Sequence, residues 1–319
     1  MPKLKELIAR TLLIVFGTVF GLLVCEVGLR WLYPIAIMTV EAKPTDDPAR
    51  DEIVYDASLG FRPRLGTAEY DEDGILRATS FISKSEDARR ILFMGDSVTA
   101  YGELMTALGR LAAPADASFL NGGVTAFTIF QEVEFFFRYQ IRKKPDLIVH
   151  QFHVNDLQSS RFAGRGSDGT VRMYSPRLKP IDVNPTLYRH SHLYRFALAN
   201  LQLRFSKDEM KKATLEAVQR MRAYARERGI PYHVVLFPML APKERWVEYD
   251  LDTYAFYRRL ARDLEIDVVD LWPVAERMIA EGKEVRLRSW DFWHPNQAMA
   301  EEAAKYILQR IPALTTRAK

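Results

Sequence analysis

Short apolar, β-rich runs alternate with helical stretches from Asp87 onward, and this alternation limits the possible folds more than any other feature. The runs are Arg90–Met94, Ser118–Leu120, Leu147–Phe152, Tyr232–Phe237 and Ile266–Leu271. Near-continuous apolar runs bounded by turn residues fit parallel strands covered on both faces. Helices are predicted over about Tyr101–Ala112, Thr128–Arg142, Lys207–Arg228, Leu251–Leu264 and Pro295–Gln309. In the longest, Ser206 can cap the start and Gly229 can stop the end. Its Met210, Leu215, Val218 and Met221 make an apolar face. The expected fold is α/β, a three-layer α/β/α sandwich with a five-stranded parallel sheet. Ligands of such sheets bind beyond the carboxyl ends of the strands.

The N-terminus adds one transmembrane helix to this expectation. Thr11 to Cys25 carries no charge, and Glu26 and Arg30 follow at the i,i+4 spacing of a helical ion pair. Trp31 and Tyr33 suit an interface, Pro34 ends the helix, and Arg10 can snorkel. The span from about Leu7 to Leu32 suffices for a membrane helix of roughly 20 residues. Lys3, Lys5 and Arg10 precede it, so the N-terminus is expected in the cytoplasm and the rest on the periplasmic or extracellular side. No Ala-x-Ala site follows, which favours an uncleaved signal anchor over a cleaved signal. Leu22–Cys25 faintly resembles a lipoprotein cleavage box, but Val24 is bulky for it.

Three regions result: an anchor over 1–34, a connecting region over 35–86, and a catalytic-type domain over 87–319 with an insert at 157–205. The first part of the insert is polar and Gly/Arg-rich, and the second is predicted helical. A net charge of +4, with no basic block interleaved with aromatics, gives no support for nucleic-acid binding. Cys25 is the only cysteine, so no internal disulfide can form and no thiolate metal site is available. His150 and His153 sit at odd spacing on a strand and make a poor metal pair. No metal or cofactor is expected.

The candidate chemistry lies at strand exits. Ser97, in Gly95-Asp96-Ser97, follows the first run. Taken alone, this is a capped turn, with Gly95 bending the chain and Asp96 or Ser97 capping a helix. A serine nucleophile needs a base and an oxyanion site. His294 is the candidate base: Pro295 suits a first helical position, so the imidazole stands at a helix entry that favours its neutral form. Asp291, three residues earlier, can reach its Nδ1–H and orient it. Asn155, after the third run, can offer a side-chain N–H to an oxyanion. The loop Asn121–Thr128, with Gly123, can offer backbone N–H groups. Each segment also has a plainer reading, as a capping turn, an Asn-Asp turn or a glycine loop.

Together and in this order, the segments resemble the four blocks of the SGNH (GDSL-type) hydrolase superfamily, over about Arg89 to Pro312. The resemblance implies a flavodoxin-like fold, with Ser97 as nucleophile, His294 as base and Asp291 as its orienting acid. It implies oxyanion donors at the Ser97 N–H, the Ala126 N–H and the Asn155 side chain. Gly95, Asp96, Gly123 and His153 are implied as support or pocket residues. Two departures stand out. Ala126 occupies the second-block glycine position, and His153 replaces the usual glycine two residues before the third-block asparagine. The imidazole is expected at the pocket rim, narrowing the site or binding substrate. The anchor followed by a linker also resembles membrane-tethered bacterial members.

The expected function is a serine esterase acting through an acyl-enzyme. Its partner would be an ester-bearing small molecule, glycan or lipid carrying an acetyl or other short acyl group, and the membrane would be met through the N-terminal helix. The same residues would serve an O-acyltransferase modifying cell-envelope glycans. A non-catalytic tethered binding protein on this scaffold is the third reading.

Overall fold

The structure, a computed structural model, describes residues 2–32, 44–85, 87–112, 116–157, 162–174, 181–201 and 207–315. The chain divides into two compact units, residues 1–62 with 160–204, and residues 63–159 with 205–319.

The second unit is built on a six-stranded sheet. Its strand order is Asp267–Asp270, Tyr232–Phe237, Leu147–His153, Arg89–Met94, Ala117–Asn121 and Leu76–Phe81. The first five are parallel, and they are the five predicted runs. The sixth, Leu76–Phe81, runs antiparallel along the 117–121 edge and is an addition to the expected sheet. It comes from the stretch read as a connecting region. Only Leu76 and Phe81 of this strand are large and apolar, so one short half-exposed edge strand left no sustained period to read. Ser80 Oγ accepts the Asn121 N–H at 2.9 Å and pins this edge.

Alternation along the central strands builds the layers. Ile91 and Phe93 pack with the 103–112 and 297–310 helices, whereas Leu92 and Met94 pack with the 129–138 and 207–227 helices. Helices therefore cover both faces. The predicted stop at Gly229 is present, with φ of +63°. Ser206 lies outside the described residues. The last long helix begins at Gln297, two residues later than expected: Asn296 caps its entry, and its side chain accepts the Met299 N–H at 2.9 Å.

The first unit holds a helix over Pro2–Leu32 and a five-stranded sheet. Leu4–Leu32 is long and apolar enough to cross a membrane, with a mean hydropathy of 2.4. Leu12, Leu13, Ile14 and Phe16 are among its exposed side chains. Tyr33 and Pro34 lie outside the described residues. In the sheet, Ile53–Asp56 and Gly60–Pro63 come from the expected connecting region, whereas Phe162–Arg165, Val171–Tyr174 and Ile181–Val183 come from the insert. The two stretches were read as separate and instead share one sheet, joined by parallel pairing of Val54 with Arg165. Gly164 permits that approach, since a Cβ there would lie 2.3 Å from the Tyr55 nitrogen. The predicted helix of the insert is broken at Ser191 into Pro185–His190 and His192–Leu201.

Candidate active site

The 89–94 strand ends at Gly95, and a single helical turn follows over Ser97–Ala100. Asp96 caps this turn, its Oδ1 accepting the Val98 N–H at 2.9 Å. Asp96 and Ser97 are both buried. Gly95 serves close packing more than bending. A Cβ there would sit 2.4 Å from both Gln151 Oε1 and Thr99 Oγ1, which are themselves hydrogen-bonded at 3.0 Å. The next strand supplies a further brace: Asn121 Nδ2 donates to Thr99 O at 2.9 Å and to Thr79 Oγ1 at 2.7 Å. The loop Asn121–Thr128 is expected to act through its backbone, and this bracing role of the Asn121 side chain is an addition.

The loop before the last helix brings His294 to this turn. Its Nε2 lies 2.8 Å from Ser97 Oγ, across 197 positions of sequence. Its Nδ1 lies 2.8 Å from Asp291 Oδ2 and 3.0 Å from Oδ1. Asp291 Oδ1 also accepts the N–H groups of Trp293 and His294, each at 3.1 Å. A carboxylate so engaged favours Nδ1–H, leaving the Nε2 lone pair for the serine proton. The Leu287 N–H donates to His294 O at 2.8 Å and holds the loop from behind. Tyr101, unnoticed in sequence, stacks on the imidazole with ring centroids 4.3 Å apart. Its own N–H donates to Ser97 O at 2.9 Å, so one residue braces Ser97 and His294 together.

Of three further expected positions, Ala126 and Gly123 keep their places in the loop, and His153 does not lie where it was expected. Ala126 adopts φ of +64°, a left-handed backbone that costs a non-glycine residue about 1 kcal/mol. Gly123 packs under the Ser97–Ala100 turn, where a Cβ would lie 2.6 Å from the Ala100 nitrogen. The Gly123 N–H is already donated to Asn121 Oδ1 at 2.9 Å, so this glycine supports the loop. His153 is not at the rim: it is fully buried, and its Nδ1 lies 2.8 Å from Asn155 Oδ1. With Nδ1–H donating to that oxygen, the Asn155 amide is turned so that its NH2 remains to donate elsewhere. Burial pushes the His153 imidazole pKa down, against the opposing pull of Asp96, which keeps the ring neutral in this role.

A buried polar chain runs behind the site. Glu132 Oε2 lies 2.7 Å from His150 Nε2, and His150 Nδ1 lies 2.8 Å from Tyr232 Oη. Burial pushes His150 down to about 3. Burial, then repulsion from Asp96, pushes the Glu132 carboxyl well up. Asp156 is likewise raised by burial, Asp96 and Glu132, while its Oδ2 accepts the His153 N–H at 2.6 Å. Burial in a dry region thus favours the protonated forms of Glu132 and Asp156. Among the described residues, no group of three or more His, Cys, Asp and Glu is placed to hold a metal ion.

No protein-family model matches the sequence, and no curated protein does. Solved structures do match. An alpha/beta hydrolase enzyme from the metagenome of Lake Arreo, Spain, is 17% identical with a TM-score of 0.47, over 74% of this chain and 99% of that one. Axe2, an acetylxylan esterase from Geobacillus stearothermophilus, is 15% identical with a TM-score of 0.45, over 74% of this chain and 100% of that one. A chain described as a GDSL-like lipase from Parabacteroides merdae is 12% identical with a TM-score of 0.45, over 72% of this chain and 99% of that one. Acetylxylan esterases and a GDSL-like lipase thus stand among the structural neighbours of this chain.

Proposed function

We propose that the protein is an SGNH-type serine esterase that removes an acetyl or other short acyl group from a carbohydrate through an acyl-enzyme. The observation that carries this reading is the unbroken hydrogen-bonded series from Asp291 through His294 to Ser97 Oγ. In the first step Ser97 Oγ bonds to the ester carbonyl carbon while His294 Nε2 takes its proton. Asp291 stabilises the imidazolium that forms. The oxyanion is met by the N–H groups of Ser97 and Ala126 and by the Asn155 side chain. Collapse breaks the ester C–O bond, and His294 returns the proton to the leaving alcohol. Water, deprotonated by His294, then releases the acid and regenerates Ser97.

A sugar alcohol is preferred over a lipid on the strength of exposed amphipathic rings near the pair in sequence: Trp290 and Trp293, directly before Asp291 and His294 respectively, are 58% and 40% exposed. The N-terminal helix tethers the enzyme as a single-pass anchor, with Lys3, Lys5 and Arg10 on the cytoplasmic side and the ester-cleaving unit beyond the membrane. The test is hydrolysis of p-nitrophenyl acetate and of acetylated oligosaccharides by the detergent-purified full chain. Ser97→Ala is expected to lower kcat/KM at least about a thousandfold. Equal rates for variant and parent would overturn the serine mechanism.

A further inference from the structure

Glu26 stands at the outer end of the long N-terminal helix, directly after its uncharged stretch, yet its side chain is only 18% exposed. Its carboxylate is occupied by the junction between the 185–190 and 192–201 helices. Oε1 accepts the His192 N–H at 2.9 Å, and Oε2 accepts the Leu193 N–H at 2.7 Å and the Ser191 hydroxyl at 2.9 Å. Ser191 Oγ in turn accepts the Tyr194 N–H at 3.1 Å. The first three N–H groups of the 192–201 helix are therefore satisfied, two of them by a residue 166 or more positions away in sequence.

Arg30, one turn further on, completes the contact. Its Nε donates to Glu26 Oε1 at 2.9 Å, and its Nη2 donates to His190 O at 2.7 Å. His190 is the last residue of the preceding helix. The carboxylate thus meets a helix N-terminus and the guanidinium a helix C-terminus, each the sense the helix dipole favours. Among the described residues, Leu4 to Val24 offer no comparable contact: their large apolar side chains are exposed. At 1.5 Å per residue, Leu4 to Cys25 spans about 33 Å, close to the thickness of a bilayer's hydrocarbon layer.

We propose that the N-terminal helix is retained in the working protein and that its outer turn, through Glu26 and Arg30, clasps the 185–201 helix junction, making the 181–201 segment a collar at the membrane surface. The site on the membrane rests on the anchor reading above, but the clasp does not. A cleaved signal would discard the group that completes the start of the 192–201 helix. The collar gives the insert a task separate from ester cleavage.

The experiment uses the full chain isolated from the membranes of expressing cells. Intact mass is expected to show residues 1–32 retained, and a mature chain beginning after Arg30 would overturn the proposal. Carbonate extraction reports membrane insertion separately, so loss of the anchor reading is distinguishable from loss of the clasp. Limited proteolysis in detergent then compares wild type with Glu26→Ala. Loss of hydrogen bonds to a charged acceptor is expected to speed cleavage within 185–201 about tenfold or more. Glu26→Gln, which keeps one acceptor oxygen, is expected to fall between. Arg30→Ala, which loses the bond to His190 O, is expected to speed the same cleavage and keeps the comparison open where Glu26→Ala does not accumulate. Cleavage of these variants at the wild-type rate would overturn the clasp.

Discussion

His153 Nδ1 lies 2.8 Å from Asn155 Oδ1, and both follow from the same strand exit at the end of 147–153. With Nδ1–H donating, the buried imidazole fixes the orientation of the Asn155 amide. On the mechanism proposed above, replacing His153 with Ala leaves Asn155 able to rotate its NH2 away from the oxyanion. The expected result is a fall in kcat of about tenfold with little change in KM, against about a hundredfold or more for Asn155→Ala. Steady-state kinetics on p-nitrophenyl acetate separate the two. An unchanged kcat for His153→Ala would remove this residue from the account.

Gly95 is expected to tolerate no side chain. Its Cβ would overlap Gln151 Oε1 and Thr99 Oγ1 at 2.4 Å, and neither lies at the end of a free, flexible chain because they bond each other. Gly95→Ala should destabilise the fold by about 1–3 kcal/mol, as overpacking does. It should also displace the nucleophile turn and lower kcat. Urea denaturation with kinetics on the folded fraction checks both.

Ala126→Gly is expected to go the other way. The left-handed φ of +64° is strained for alanine and free for glycine. Relief of that strain exceeds or balances the extra unfolded-state entropy, so stability should hold or rise by up to about 1 kcal/mol. Activity should persist, because the proposed mechanism uses only the backbone N–H there. A large loss of kcat/KM would show that the methyl group matters.

The chain of Glu132, His150 and Tyr232 predicts two opposite pH trends. Native His150 titrates near 3 instead of 6.5, so the unfolded chain binds its proton first. The stability this group confers is full above about 6.5 and is lost as pH falls toward 3. Native Glu132 has its pKa raised above 4.5, so its contribution is full below that value and declines as pH rises. Glu132→Gln keeps the shape and removes the second trend. Its Tm relative to wild type should therefore climb between about pH 5 and pH 8. A difference flat in pH would place the native carboxyl in the ordinary range.

The five parallel strands were legible because each is a near-continuous apolar run, and the Asp291 and His294 pairing was legible because three residues separate them. Asp96 as a brace was also legible, since a short acid before a helix is a common cap. The 76–81 edge strand was not, for it buries only one side and carries few large apolar residues. Nor was the sheet joining 53–63 to 162–183, whose pairing is set by a distant glycine at 164. Tyr101 and Asn121 escaped notice because their partners, His294 and Thr99, are made neighbours only by the tertiary fold. His153 was misjudged because spacing tells which face a side chain leaves from, not whether that face is wet.

The bond between Ser97 and His294 spans 197 positions, and that separation has a kinetic consequence. Contacts so distant along a chain form late, after the loop between them has been closed. A growing polypeptide exposes the serine long before the imidazole has been synthesised. On the esterase reading proposed above, a partial chain ending before His294 lacks the base and should not cleave esters, and recovery of hydrolysis during refolding should lag the return of helical signal. The appearance of activity would then time the docking of the 297–310 helix.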